Sequence, residues 1–99
     1  MKIKILPSAV EDLYSGRLFY EKQGEQLGEY FFDTLFSDID SLIFFPEKHS
    51  VVFGYHRLLS KRFPYAVYYK IEQDAVMVYR VLDQRQNPEK TKSSLIDQD

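Results

Sequence analysis

Between Tyr55 and Arg85 the chain carries six basic side chains, Arg57, Lys61, Arg62, Lys70, Arg80 and Arg85, against three acids, Glu72, Asp74 and Asp83. Groups of this kind suit the gripping of a phosphate and the stabilisation of negative charge that develops on it, and Arg can hold two phosphate oxygens at once. Metal-free cleavage of an RNA strand needs two further groups, a base for the 2′-hydroxyl and an acid for the leaving oxygen. On an extended strand Arg57, Leu59 and Lys61 share one face, so Arg57 and Lys61 can flank one phosphate, and Arg85 can close the same site from beyond the last apolar run. These three are the candidate catalytic residues. His56, beside Arg57, is the base candidate by residue type, an imidazole being the side chain that ordinarily titrates near neutral pH. A lone histidine where a strand begins is more often a surface residue, and His49 lies in a polar loop.

The tyrosines divide by alternation. Tyr65, Val67, Tyr69 and Ile71 share one face and belong to a core, whereas Ala66, Tyr68 and Lys70 share the other. Tyr68 beside Lys70 is therefore the candidate for an exposed, base-stacking or binding tyrosine. Arg80 interrupts an apolar strand and, if buried, needs a carboxylate partner from the helices. Asp38 and Asp40 stand two apart on a helix and point away from each other. With two separated histidines and no cysteine, no metal site is indicated. Neither a Gly-rich phosphate loop nor a nucleophile elbow occurs, and no cofactor is expected.

Several elements must position these groups. Lys2 to Leu6 alternates polar and apolar residues as a half-buried strand does, and Pro7 ends it. Ser8 and Glu11 fit a capping box, after which Val10, Leu13, Tyr14, Arg17 and Leu18 follow helical spacing up to a stop at Gly24. A longer helix is predicted from about Gln26 to Phe45, with Phe32, Leu35, Ile39, Leu42 and Ile43 as its apolar stripe and Pro46 as its end. The short connection makes the two helices antiparallel neighbours. Three strands follow near Tyr55–Arg62, Tyr65–Ile71 and Ala75–Leu82, with turns at Phe63-Pro64 and Glu72-Gln73-Asp74. The apolar run from Ala75 to Tyr79 suits a central strand covered on both faces. From Glu89 to Asp99 runs a polar tail, expected to be flexible or to form a loose helical turn started by Asn87 and Pro88. The order is β-α-α-β-β-β, an α+β domain with a helical hairpin packed on one face of a small antiparallel sheet.

Ninety-nine residues with 44% apolar content make one ordered domain. The start of the chain lacks the apolar stretch of a signal peptide, and no run is long enough to span a membrane, so a cytoplasmic location is expected. Net charge is −2, but its distribution is uneven. Nine acids face two bases from Ser8 to Glu47, a local balance of −7, whereas Tyr55 to Arg85 stands at +3. Screening confines such fields to about 8–10 Å, so a positive face on the sheet survives beside the acidic helices.

Arg62-Phe63-Pro64-Tyr65, the Tyr68-Tyr69 pair, Val81-Leu82 and Arg85 ahead of Pro88 together resemble the RelE/ParE toxins of bacterial type II toxin–antitoxin systems. The resemblance is specific from Arg57 to Pro88 and loose elsewhere, and it implies the same β-α-α-β-β-β fold. RelE-like members cut messenger RNA within the ribosome without a metal, and ParE-like members poison DNA gyrase. Members of both kinds are neutralised by a cognate antitoxin. The Phe-Pro-Tyr style of the sheet is closer to the ParE-like branch and its plasmid-stabilisation relatives. By position the resemblance makes Arg62 and Asp83 binding residues, alongside Tyr68 and Lys70 from the alternation. Many relatives carry His at the position of Asp83 and a second Arg at that of Gln86. These departures weaken nuclease chemistry and leave two readings: an active growth-inhibiting toxin, or a catalytically inactive binding module of the same fold.

Overall fold

A computed structural model describes residues 1–96. The chain runs β1 (Lys2–Ile5), α1 (Pro7–Gln23), α2 (Leu27–Asp40), two short 3-10 turns (Ser41–Ile43 and Pro46–Lys48), β2 (Val51–Val52), β3 (Tyr55–Leu59), β4 (Tyr65–Glu72), β5 (Ala75–Asp83) and α3 (Pro88–Ile96). The five strands form one sheet in the order β1-β5-β4-β3-β2. β2 through β5 are antiparallel neighbours. β1 pairs parallel with β5, from Lys2 opposite Ala75 to Ile5 opposite Val78. The sheet is therefore mixed rather than wholly antiparallel. The helical hairpin carries the chain from β1 to β2 at the opposite edge, and β3 and β4 bring it back to β5 beside β1. That crossover is long enough for parallel pairing, and the register partner of β1 leaves no trace in its own four residues.

The hairpin covers one face. Gly16 of α1 receives the Phe31 ring so closely that an added Cβ would lie 2.4 Å from its Cζ, and Gly28 of α2 approaches the Arg17 carbonyl to within 2.5 Å of the same hypothetical atom. Two small residues thus let the helices touch. The core between hairpin and sheet holds Ala9, Leu13, Phe31, Leu35, Ile39 and Leu42 against Val67, Tyr69, Val76 and Val78. Of the α1 positions expected at helical spacing, Leu13 is buried, whereas Val10, Tyr14 and Leu18 face outward, at 36%, 53% and 64% exposure. Ala9, Gly16 and Tyr20 complete the buried face with Leu13, because contact distance and not apolar bulk selects the face.

Helix ends differ from expectation in the same local way. Pro7 occupies the first helical position with Leu6 extended before it, and no side chain caps the end. Proline there has the right φ and lacks an amide that would go unbonded, so the helix starts two residues early, with Leu6 and not Ser8 at its N-cap, and no capping box forms at Ser8. α2 closes at Asp40 and passes into a 3-10 turn before Pro46. Glu21 of α1 instead accepts the Gly28 amide at the start of α2, at 3.0 Å. The β2–β3 connection is a two-residue turn in which Phe53 and Gly54 have φ of 54° and 84°.

The second face of the sheet is covered as well. α3 begins at Pro88, with the Asn87 side chain accepting the Glu89 amide at 2.9 Å. Leu95 closes over a second cluster of Tyr55, Ala66, Tyr68 and Leu82, and Tyr55 Oη donates to the Leu95 carbonyl at 2.8 Å. The polar segment expected to be loose is a packed helix up to Ile96, and residues 97–99 of that segment lie outside the described residues. No helix among the described residues is long and apolar enough to cross a membrane.

Candidate functional site

β3, β4 and β5 meet at one end of the sheet, where the register sets Tyr65 opposite Asp83 and Leu59 opposite Ala66. Lys61, Arg62, Asp83 and Arg85 gather at this end. Arg57 does not join them. It stands opposite Tyr68 in mid-sheet on the face that α3 covers, whereas Arg85 turns to the hairpin side, its guanidinium 5.9 Å from the Phe19 ring centre. The three-residue phosphate site expected from Arg57, Lys61 and Arg85 is not assembled. Lys61 and Arg62 lie beyond β3, which stops at Leu59, so strand alternation does not govern them.

Arg85 is held by its near neighbour. The Asp83 carboxylate accepts from the Arg85 backbone amide at 2.8 Å, from Nε at 3.0 Å and from Nη2 at 2.8 Å. The hydrogen bonds from Arg85 hold the Asp83 carboxyl below its usual range, against the opposing pull of its own burial. Tyr65 sits beneath this pair and is pushed up to about 12, by burial first and by the Asp83 charge second. Tyr20 is also raised by burial, with Arg85 acting in the opposite sense. Arg62 donates to Tyr30 Oη at 2.9 Å, and the Tyr30 ring lies 5.4 Å from that of Phe63. The end of the sheet is thus a cationic and aromatic surface, with one arginine fixed by a carboxylate and another by a phenol.

Other candidates are engaged elsewhere. Tyr68 is 1% exposed beneath α3 and accepts from Gln84 Nε2 at 3.1 Å, so the exposed tyrosine expected there is a core residue. Alternation assigned its face correctly, but that face carries a helix. Lys70 places its ammonium over the rings of Tyr55 and Tyr79, 4.6 Å and 5.4 Å from their centres. His56 stacks on Tyr69 at 5.2 Å, and its Nδ1 lies 2.9 Å from the His49 carbonyl. It ties the loop before β2 to the sheet, as does Tyr69, whose Oη donates to the Pro46 carbonyl at 2.6 Å. Burial lowers the pKa of His49. Among the described residues no group of His, Cys, Asp and Glu is arranged to hold a metal.

Arg80 finds the helix acid that its position demands. Its Nε and Nη2 donate to Asp12 of α1 at 2.7 and 2.8 Å, and Asp12 Oδ2 also accepts the Val81 amide at 2.9 Å. Sequence reasoning missed Asp12 as that acid, and it missed Phe19, Tyr20 and Tyr30 as neighbours of the charged end. The available signal was the density of aromatic residues in the hairpin, since Phe and Tyr outside the buried stripe need another surface to meet.

Taken together, frame and charged end define a small α+β domain with a helical hairpin on a mixed sheet and a cationic, aromatic sheet end. A family model described as the ParE toxin of the type II toxin–antitoxin system parDE matches residues 3–88. The chain belongs to the ParE toxin family. Among solved structures it is similar to a chain of the chromosomal ParDE toxin–antitoxin system from P. aeruginosa, at TM-score 0.74 and 17% identity over 82% of this chain and 92% of that one. At that identity the likeness concerns the fold. No curated protein matches the sequence.

Proposed function

We propose that this ParE-family chain is a growth inhibitor neutralised by a cognate antitoxin, and that it acts by poisoning DNA gyrase rather than by cutting messenger RNA. The observation that carries this reading is the commitment of the two groups best suited to cleavage. Asp83 holds Arg85 through three hydrogen bonds, and His56 is fixed between Tyr69 and the His49 carbonyl. Protein recognition uses ordered arginines and aromatic rings well, and that is what the sheet end offers. The family match and the ParDE structural neighbour support the toxin and antitoxin parts of the reading.

Induced expression in bacteria without a partner tests it. Growth should arrest with gyrase-dependent DNA breaks, and the purified chain should inhibit supercoiling of a plasmid by gyrase. Ribosome-dependent mRNA cleavage that Arg85→Ala abolishes would overturn the choice of target. Normal growth at verified expression would replace the toxin reading with an inactive binding module, which the same Asp83–Arg85 pair favours.

A further inference from the structure

Two exposed apolar surfaces of opposite charge lie on different elements of this chain. The first is the outer side of α1. Val10, Tyr14 and Leu18 follow one another at four-residue steps and point to solvent, while Ala9, Leu13, Gly16 and Tyr20 fill the inner side. A helix apolar on both sides is ordinarily covered on both. Tyr14 carries the stripe on to α2, its ring 5.3 Å from that of Phe32. A groove of about 740 Å³ adjoins it, walled by Leu18, Glu21, Glu29, Tyr30 and Asp33 among others. The charge here is acidic: Glu11, Glu21, Glu29 and Asp33 outnumber Arg17 and Lys22. Arg17 is already held by Glu29 at 3.7 Å and by the Phe32 ring, 4.9 Å from its centre.

The second surface is the flank of β3. Phe44, Phe45 and Leu59 are 73%, 69% and 52% exposed, beside a groove of about 430 Å³ that Lys48 and Lys61 also wall. The charge here is basic: Lys48, Arg57, Lys61 and Arg62 outnumber Asp38 and Glu47. Arg57, Lys61 and Arg62 enter none of the ion pairs of the described residues. Bare apolar patches with a charged rim mark surfaces that meet another molecule.

We infer that these two surfaces meet each other, the hairpin face of one copy of this chain against the β3 flank of the next. Charge selects the arrangement. Pairing two hairpin faces sets acids against acids, and pairing two β3 flanks sets bases against bases, and like charges across an interface are strongly unfavourable. Head-to-tail contact joins opposite signs, and it places Tyr14 and Leu18 against Phe44, Phe45 and Leu59. Glu11 and Glu21 bracket the apolar stripe along α1, where Lys48 and Lys61 of the next copy can meet them. Such a contact is heterologous: each copy uses each surface once, so assembly runs on past the dimer or closes as a ring. Neither surface includes Asp83 or Arg85, and the inference does not depend on gyrase being the target.

Sedimentation velocity of the purified full chain, from micromolar to millimolar protein, tests it. Mass should rise with concentration past that of a dimer, and should fall again in about 1 M salt, where screening acts within about 3 Å. Two variants each blunt one surface: Glu11→Gln with Leu18→Gln on the hairpin, and Phe44→Gln with Lys61→Gln on the flank. Each alone should lose self-association by at least about tenfold. All four positions are exposed, and thermal unfolding confirms the fold; Leu18→Gln and Phe44→Gln serve singly should either pair unfold. Mixed in equal amounts, the two variants should form a one-to-one dimer and stop there, since each keeps the surface that the other has lost. A native chain that stays monomeric at millimolar concentration would overturn the inference. So would a mixture no heavier than its components, or loss of association in only one variant, which would assign the contact to two like surfaces.

Discussion

Replacing Asp12 with Ala removes the one carboxylate that serves both a half-buried guanidinium and a strand amide. Three contacts go at once, Arg80 Nε and Nη2 at 2.7 and 2.8 Å and the Val81 amide at 2.9 Å. Breaking a fully buried ion pair from one side costs about 3–5 kcal/mol. Here the side chains of Arg80 and Asp12 keep 20% and 14% exposure, so water recovers part of the lost solvation and about 2 kcal/mol is the share for the pair. Leaving the Val81 amide without its acceptor adds about 1 kcal/mol. The expected total is about 3 kcal/mol, or a fall in Tm of roughly 15 °C for a domain of this size. Urea denaturation of four chains checks the reasoning: native, Asp12→Ala, Arg80→Met and the double variant. The double variant should be more stable than Asp12→Ala alone, because it no longer strands a charge. Should Asp12→Ala cost under about 1 kcal/mol, or cost the same in the Arg80→Met background, the pair does not hold α1 to β5 and the account fails.

Four further outcomes follow from other contacts. Phe53 occupies the left-handed region at φ 54° before Gly54, so Phe53→Asn should stabilise the chain by about 1 kcal/mol, read as a raised urea midpoint. An added Cβ meets backbone at Gly28 but a ring edge at Gly16, so Gly28→Ala should destabilise more than Gly16→Ala, which costs about 1–3 kcal/mol; equal effects would show that the helix backbones can part freely. The Asp83 carboxyl is held below its usual range by Arg85, so its contribution is present above the ordinary carboxylate value near pH 4 and lost as pH falls through the depressed value. Asp83→Asn should therefore flatten this part of the acid limb, by under about 1 kcal/mol for so exposed a pair. Finally, Asp83→Ala frees one cation, and any binding of single-stranded RNA should gain about one phosphate contact in its salt slope, a gain that adding Arg85→Ala should remove.

Much of this fold is written in local patterns, and what was misjudged shares one cause. The alternation Tyr65, Val67, Tyr69, Ile71 identified the face that meets the hairpin, and all four pack in that core. Arg80 announced its need for an acid by interrupting an apolar strand, and it has one. What escaped was whatever depends on a distant partner. Tyr68 is buried because Leu95 arrives from another element, and polar composition around Leu95 hid that helix. The outward face of α1 was misassigned because Ala9 and Gly16, not the larger Val10 and Leu18, make its contacts. Parallel pairing of β1 with β5 requires the whole crossover to be in place. At the site, Asp83 read as a missing imidazole, whereas its geometry makes it the anchor of Arg85.

Asp12 and Asp83 perform the same service from different parts of the chain. Each neutralises an arginine of the β5 segment, and each accepts a backbone amide there, from Val81 and Arg85 respectively. β1 ends at its pairing with Val78, so these amides lie where β5 has lost that neighbour, and the carboxylates occupy donors that would otherwise invite another strand. The positive charge counted in the sequence is therefore not all available. Arg80 and Arg85 are matched by carboxylates and Lys70 lies against two rings. No ion pair among those of the described residues involves Arg57, Lys61 or Arg62. The usable charge thus shifts from the β5 side, where the family pattern would place its chemistry, to β3 and the turn that follows it. That is the side on which Phe44 and Phe45 are bare, so unpaired positive charge and apolar surface coincide on the same flank of the molecule.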